Sequence, residues 1–286
     1  MEKKGIADRV ADFFSKLGSS SKSVVKLAVS SHHSTMKSES RDDFLVVMGN
    51  GPSLADTMAR YGGRLSEHPL LAVNFAAATE EFFALRPCYY VMADPVFFDM
   101  NGNENQKRLR DNLLKVDWPM TLFVPFGPAD ETLPGNGNVN ITVVRFNCLG
   151  VEGFEWLENL TFRWRRAMPR PRNVLIPALM LGLWLGYKEI YVAGADHSWT
   201  RTLEVDEDNT VISVQPHFYK DNEAEHERVR SVYRNIRLHE IIYSFYVAFK
   251  AYFAVERFAR SCGAVIYNST PGSFIDAFPR REIPEI

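Results

Sequence analysis

The residues best suited to chemistry lie where apolar runs stop. In FLVVMGNGPSL, Phe44 to Leu54, five apolar residues lead into Gly49, Asn50, Gly51, Pro52 and Ser53, and a helical pattern follows directly. Glycines at such a turn let the backbone bend sharply and leave room for a ligand. Ser53 could cap the helix. The N–H groups and partial positive charge at the helix start suit a phosphate, and Asn50 could donate to a phosphate or a sugar hydroxyl. The same residue types also make a plain strand-to-helix connection. The pattern is not GxGxxG and lacks a P-loop lysine, so both readings stay open.

Other runs end in the same way. Asn74 closes LLAVNF, Asp94 closes CYYVMAD, and Asp196 with His197 follows YKEIYVAGAD. Asn268, Ser269 and Thr270 follow the last run. Asp94 and Asp196 could each hold a ribose hydroxyl, a metal or a base edge, or act as helix caps. Arg172 and Asn173 immediately precede an apolar stretch, Asn173 to Gly186. Arg172 would sit at the positive end of that helix and could pair with an anionic substrate. The neighbouring Arg163, Arg165, Arg166 and Arg170 read equally well as a solvated face. For a general base, a histidine near neutral pKa suits removal of a proton from an alcohol. His217, in QPHFYKD, is the first candidate and His239 the second, with His197 a third.

The elements that would position these residues read as alternating short β-rich runs and helical stretches. That is the signature of βα units on a largely parallel sheet. The expected fold is α/β and Rossmann-like, mostly parallel, with helices on both faces. In open sheets of this kind ligands bind beyond the carboxyl ends of the strands. The stretch from Gly150 to Arg172 fits no simple period. The segment after Asp196, about 197–222, is too long for a plain connection and reads as a lid. A long helical region covers about Glu223 to Cys262.

Residues 1–40 stand apart. Ile6, Val10, Phe13, Phe14 and Leu17 recur at helical spacing among lysines and arginines, with a second apolar patch from Val24 to Ala28. This extension could lie on a membrane surface, or pack on the body or on a second subunit. Ser30 to Asp43 reads as a polar linker. Residues 41–286 form one catalytic domain in this reading.

Bulk properties narrow the function. A net charge of −2 gives no electrostatic case for nucleic acid. The three cysteines, Cys88, Cys148 and Cys262, are scattered, which argues against a disulfide framework and a zinc site and for a reducing cytoplasm. No run of eighteen apolar residues is present to span a bilayer. The expected location is cytoplasmic, open to peripheral contact with the inner membrane through residues 1–30, and a homo-oligomer stays open.

VVMGNGPSL resembles the donor-nucleotide loop of the bacterial sialyltransferases of glycosyltransferase family 42, and LGYKEIYVAGAD resembles a second hallmark of those enzymes. IYNSTPGSFIDAF is more similar to the related superfamily of Maf flagellin glycosyltransferases and MptE-like pterin pyrophosphokinases. The resemblance covers about Phe44 to Phe278. It implies a CMP-linked acidic sugar (sialic acid, Kdo or similar) as donor, a cell-envelope glycan as acceptor and no obligatory metal or other cofactor. It places Asn50, Gly51, Pro52 and Ser53 at the CMP phosphate and ribose and Asn74 at the nucleotide. Two departures stand out. Asp94 occupies the position of an asparagine, and the family's catalytic histidine has no clean counterpart. Alternatives are therefore a pterin pyrophosphokinase using ATP and Mg²⁺ on Asp94 and Asp196, or a non-catalytic nucleotide-sugar-binding protein.

Overall fold

The structure, a computed structural model, describes residues 5–39, 41–100, 102, 104–213 and 236–284. Seven parallel strands form the central sheet: β1 (Leu45–Met48), β2 (Leu70–Val73), β3 (Tyr89–Val91), β4 (Met120–Pro125), β5 (Ile141–Phe146), β6 (Glu189–Ala193) and β9 (Val265–Asn268). Their order is β5-β4-β3-β2-β1-β6-β9. The chain moves outward from β1 to β5, then returns to the other side of β1 with β6. The sheet thus reverses direction between β1 and β6, a topological switch point. There Val47 pairs with Val192 and Met48 with Ala193.

Alternation along the strands divides the core into two layers. Leu45, Val47, Leu71, Val73 and Val192 face one side and Val46, Met48, Leu70, Ala72 and Tyr191 the other. The first layer is covered by α5 (Glu155–Arg163), α6 (Leu175–Leu185) and α7 (Leu238–Ser261). The second is covered by α2 (Ser53–Tyr61), α3 (Glu80–Leu85) and α4 (Glu104–Leu113). Strands buried on both faces explain the continuous apolar runs. Every residue of α6 is buried, as expected of a helix apolar all round. The molecule is therefore a Rossmann-like α/β fold.

Three segments differ from their sequence reading. The stretch after Gly150 contains the helix α5, whose Trp156 is exposed, as is Trp164 just beyond it. Two large aromatic residues on the outside mask its amphipathic period. The described part of the insertion after Asp196 is folded against the body. A 3₁₀ turn, Trp199–Thr202, leads into an antiparallel hairpin of β7 (Leu203–Val205) and β8 (Val211–Ser213). Trp199, Leu203 and Val211 seat this hairpin on Ile241 and Phe245 of α7. Finally, the polar segment before β1 is docked on the body. Met36 is buried in the core, and the His32 N–H donates to Asn147 Oδ1 at 2.8 Å. The extension itself is α1 (Ile6–Ser30).

Candidate functional site

The turn after β1 and the turn after β6 meet at the switch point. The Gly49 N–H donates to Ala193 O and the Gly51 N–H to Gly194 O, both at 2.8 Å. A Cβ on Gly49 would lie 2.4 Å from Gly194 O, and one on Gly51 only 2.0 Å from Asp196 Oδ2. The two glycines are thus accounted for by the β6 turn, and not by room left for a ligand.

The start of α2 is also occupied. Pro52 stands at the cap position, and Ser53 is the first helical residue. Asp196 Oδ2 accepts from Ser53 Oγ at 2.8 Å and from the Ser53 N–H at 3.4 Å. The Leu54 N–H turns back to Gly51 O and the Ala55 N–H to Pro52 O. A carboxylate here sits favourably against the helix dipole. It takes the place that the sequence reading assigned to a phosphate.

The open space lies beside this junction. A cavity of about 440 Å³ is lined by Gly49, Asn50, Gly51 and Pro52 after β1, Val73 and Asn74 after β2, and Ala93, Asp94 and Pro95 after β3. Cys148, the segment Pro171 to Leu175, and Gly194, Asp196, His197, Ser198 and Trp199 complete it. Of the predicted site residues, the cavity brings together Gly49, Asn50, Gly51, Pro52, Asn74, Asp94, Arg172, Asn173 and Asp196. Ser53 is held just behind it. His239 is exposed at the second residue of α7 and is not in the lining. His217 lies outside the described residues.

Three carboxamides give the cavity its chemistry. Asn50 Nδ2 donates to Val73 O at 3.2 Å, while its Oδ1 is buried without a hydrogen-bond partner among the described residues. Asn74, held at a φ of 50°, likewise has an unpartnered buried Oδ1. Asn173 Oδ1 accepts from the Leu175 and Ile176 N–H groups at the start of α6 and from the Tyr252 hydroxyl at 3.0 Å. Its Nδ2 is buried and unpartnered. Leaving such a group unpaired costs about 1–3 kcal/mol, which a ligand can recover.

Arg172 is the cation of the site. It is exposed at the cavity, with no ion pair or side-chain hydrogen bond among the described residues. The rest of the arginine cluster is largely committed elsewhere. Arg163 donates to Ser261 O, Arg165 to Met36 O, and Arg170 pairs with Glu152. Of the two acids, Asp94 caps the following turn by accepting from the Val96 N–H at 3.0 Å, and Asp196 caps α2.

His197 closes one wall. Its φ is 49°, its ring lies tilted against Trp199 with centroids 4.1 Å apart, and its Nε2 lies 2.6 Å from the Tyr252 hydroxyl. Desolvation pushes its pKa down to about 3, so the ring is neutral at pH 7. Desolvation raises the Tyr252 pKa, with the Asn173 bond opposing it, so Tyr252 keeps its proton. A tyrosine has one proton to give. With that proton on Asn173 Oδ1, His197 Nε2–H donates to Tyr252, and Nδ1 keeps the lone pair. The tautomer therefore follows from the hydrogen-bond chain. Cys148 is not a nucleophile at this pH, because desolvation raises its thiol to about 12.

Sequence reasoning placed His197 third and missed Tyr252. Tyr252 lies 55 residues from His197 and 79 from Asn173, and no spacing rule reaches that far. Asn268 and Thr270, expected at the strand ends, are buried braces. Thr270 Oγ1 accepts from the Ala195 N–H at 3.0 Å, and Asn268 Nδ2 donates to Ile275 O. Among the described residues no group of three or more His, Cys, Asp or Glu side chains is placed to hold a metal ion.

The fold is Rossmann-like, with a cavity at its switch point. No family model matches the sequence, and no curated protein sequence matches it. Among solved structures, the chain is similar to a Maf glycosyltransferase from Magnetospirillum magneticum AMB-1, with a TM-score of 0.49 and 12% identity. The match covers 88% of this chain and 35% of that one, so the protein spans about a third of its neighbour's length. A likeness at this level bears on neither substrate nor activity.

Proposed function

We propose that the protein is a glycosyltransferase that takes an acidic sugar from a CMP-linked donor and passes it to a hydroxyl of a cell-envelope glycan. One observation carries the reading: Asn50, Asn74 and Asn173, each with a buried polar atom that has no partner among the described residues, line the same cavity as Arg172, which has no ion pair among those residues. Neutral amides suit the hydroxyls and base edge of a nucleotide-linked sugar, and one guanidinium suits one phosphate or carboxylate. A volume of about 440 Å³ falls in the range of small-molecule sites. CMP is the nucleotide that the resemblance of the β1 turn implies. A triphosphate would bring several negative charges to a cavity that, among the described residues, is lined by one arginine and two carboxylates.

In the reaction the bond from the anomeric carbon to the phosphate oxygen breaks, and CMP leaves with the electron pair. The acceptor oxygen bonds to that carbon, and its proton passes to His197 Nδ1. Arg172 opposes the charge that builds on the leaving phosphate. A base with a pKa of about 3 is weak. An anionic donor beside the ring raises that value toward neutrality, where general-base catalysis is more effective. A second reading, a pyrophosphokinase using ATP and Mg²⁺, rests on Asp94 and Asp196 lining the same cavity.

The test is release of CMP from CMP-N-acetylneuraminate and CMP-Kdo, with and without a hydroxyl acceptor. The full chain is expected to release CMP, and His197→Gln to lose at least about a hundredfold in turnover, as for a lost general base, with CMP affinity kept. Full activity in His197→Gln would remove His197 from the mechanism. No release from either donor would count against the CMP-sugar reading.

A further inference from the structure

Away from the cavity, α1 is attached to the body by its small polar residues. Ser20 Oγ accepts from the Phe154 N–H at 2.9 Å, and Ser23 Oγ donates to Glu152 O at 2.7 Å. Gly153 lies beneath, at a φ of 148°, where a Cβ would come within 2.1 Å of Ser20 Oγ. The apolar residues of α1 run alongside Ser20 but stay largely exposed. Ile6, Val10, Phe13, Leu17 and Val24 fall at i, i+4, i+7, i+11 and i+18, which is one stripe of a helix. They are 43% to 83% exposed.

A second stripe lies on α7, where Ile242, Tyr243, Tyr246 and Phe253 are 47% to 57% exposed. One loop joins the two. Lys250, beside Tyr246 on α7, pairs with Glu152 at 3.2 Å, and Glu152 is the residue whose backbone holds Ser23. Phe13 packs on Phe154 with ring centroids 5.5 Å apart, and the exposed Trp156 is two residues on. Single exposed apolar residues need no explanation, but contiguous patches mark interaction surfaces.

We propose that α1 and the outer stripe of α7 dock the protein on an anionic lipid bilayer. Along α1 the exposed cations Arg9, Lys16, Lys22 and Lys26 outnumber the acids Asp8 and Asp12. Basic residues are drawn to anionic headgroups, tryptophan and tyrosine settle at the headgroup level, and amphipathic helices lie in that plane. A second copy fits less well. A twofold interface sets each face against itself, so the excess cations of α1 would oppose one another.

The experiment is flotation of the full chain with vesicles of phosphatidylcholine alone and of equimolar phosphatidylcholine and phosphatidylglycerol. The chain is expected to float with the anionic vesicles and to release at raised salt. Phe14→Glu and Tyr246→Glu, both at exposed positions, are each expected to weaken binding about tenfold or more with an unchanged unfolding midpoint. Unchanged binding in both variants overturns the proposal. So does failure to float. In that case, a dimer seen by light scattering and split by Phe14→Glu would assign the face to a second copy. None of these outcomes depends on the nucleotide bound in the cavity.

Discussion

Asn173 shows how one side chain links folding to binding. Its Oδ1 holds the start of α6 and the Tyr252 hydroxyl, while its Nδ2 is buried at the cavity wall without a partner among the described residues. Asn173→Ala removes both roles and is expected to cost about 1–2 kcal/mol in urea unfolding, as for a lost helix cap. Asn173→Asp keeps the acceptor and replaces the donor. It is expected to fold with nearly unchanged stability while binding CMP at least about tenfold more weakly, since a donor becomes a charge facing an anion. His197 makes a second prediction. Its folded pKa of about 3 lies below the usual histidine value, so between those values the unfolded chain binds a proton that the folded chain does not. Stability then falls as pH drops through that window, by up to about 1.4 kcal/mol per unit from this group. Urea midpoints at pH 7 and pH 5 should differ more for the wild type than for His197→Gln. Asn50, Asn74 and Arg172 were legible in the sequence because each sits at a strand end or a helix start. The pairing of His197 with Tyr252 was not, because only the packed fold brings a β6 turn against the middle of α7.

At the scale of elements, the β1 and β6 turns act as one unit. Gly51→Ala would set a Cβ against both Asp196 Oδ2 and Gly194 O. The expected result is a destabilisation of at least about 2 kcal/mol in chemical unfolding, the range for overpacking a tight site. Here the sequence pointed to the right turn for an incomplete reason. Gly49, Gly51 and Ser53 look like a phosphate loop, yet their bonding groups are met by Ala193, Gly194 and Asp196. Only knowledge of which strand lies beside β1 separates the two accounts. The βα alternation was readable because buried parallel strands leave unbroken apolar runs. The β7–β8 hairpin was not, since strands of three residues carry too little alternation to register.

For the whole molecule, the switch point between β1 and β6 places the cavity, and Arg172 is the arginine in its described lining. Arg172→Ala should leave the unfolding temperature of the empty protein unchanged, because the guanidinium has no partner among the described residues, and should raise the Kd for CMP about tenfold or more in titration calorimetry. The central claim is that this cavity takes a nucleoside monophosphate and its linked sugar. The most direct measurement is a thermal-shift series with CMP, CDP, UDP, GDP and ATP, each with and without Mg²⁺, on the wild type and Arg172→Ala. Ligand at a hundred times its Kd stabilises by about 2.7 kcal/mol, ample for a resolved shift. CMP is expected to raise the unfolding temperature without metal, and less so in Arg172→Ala. A shift with ATP that requires Mg²⁺, and none with CMP, would contradict the account.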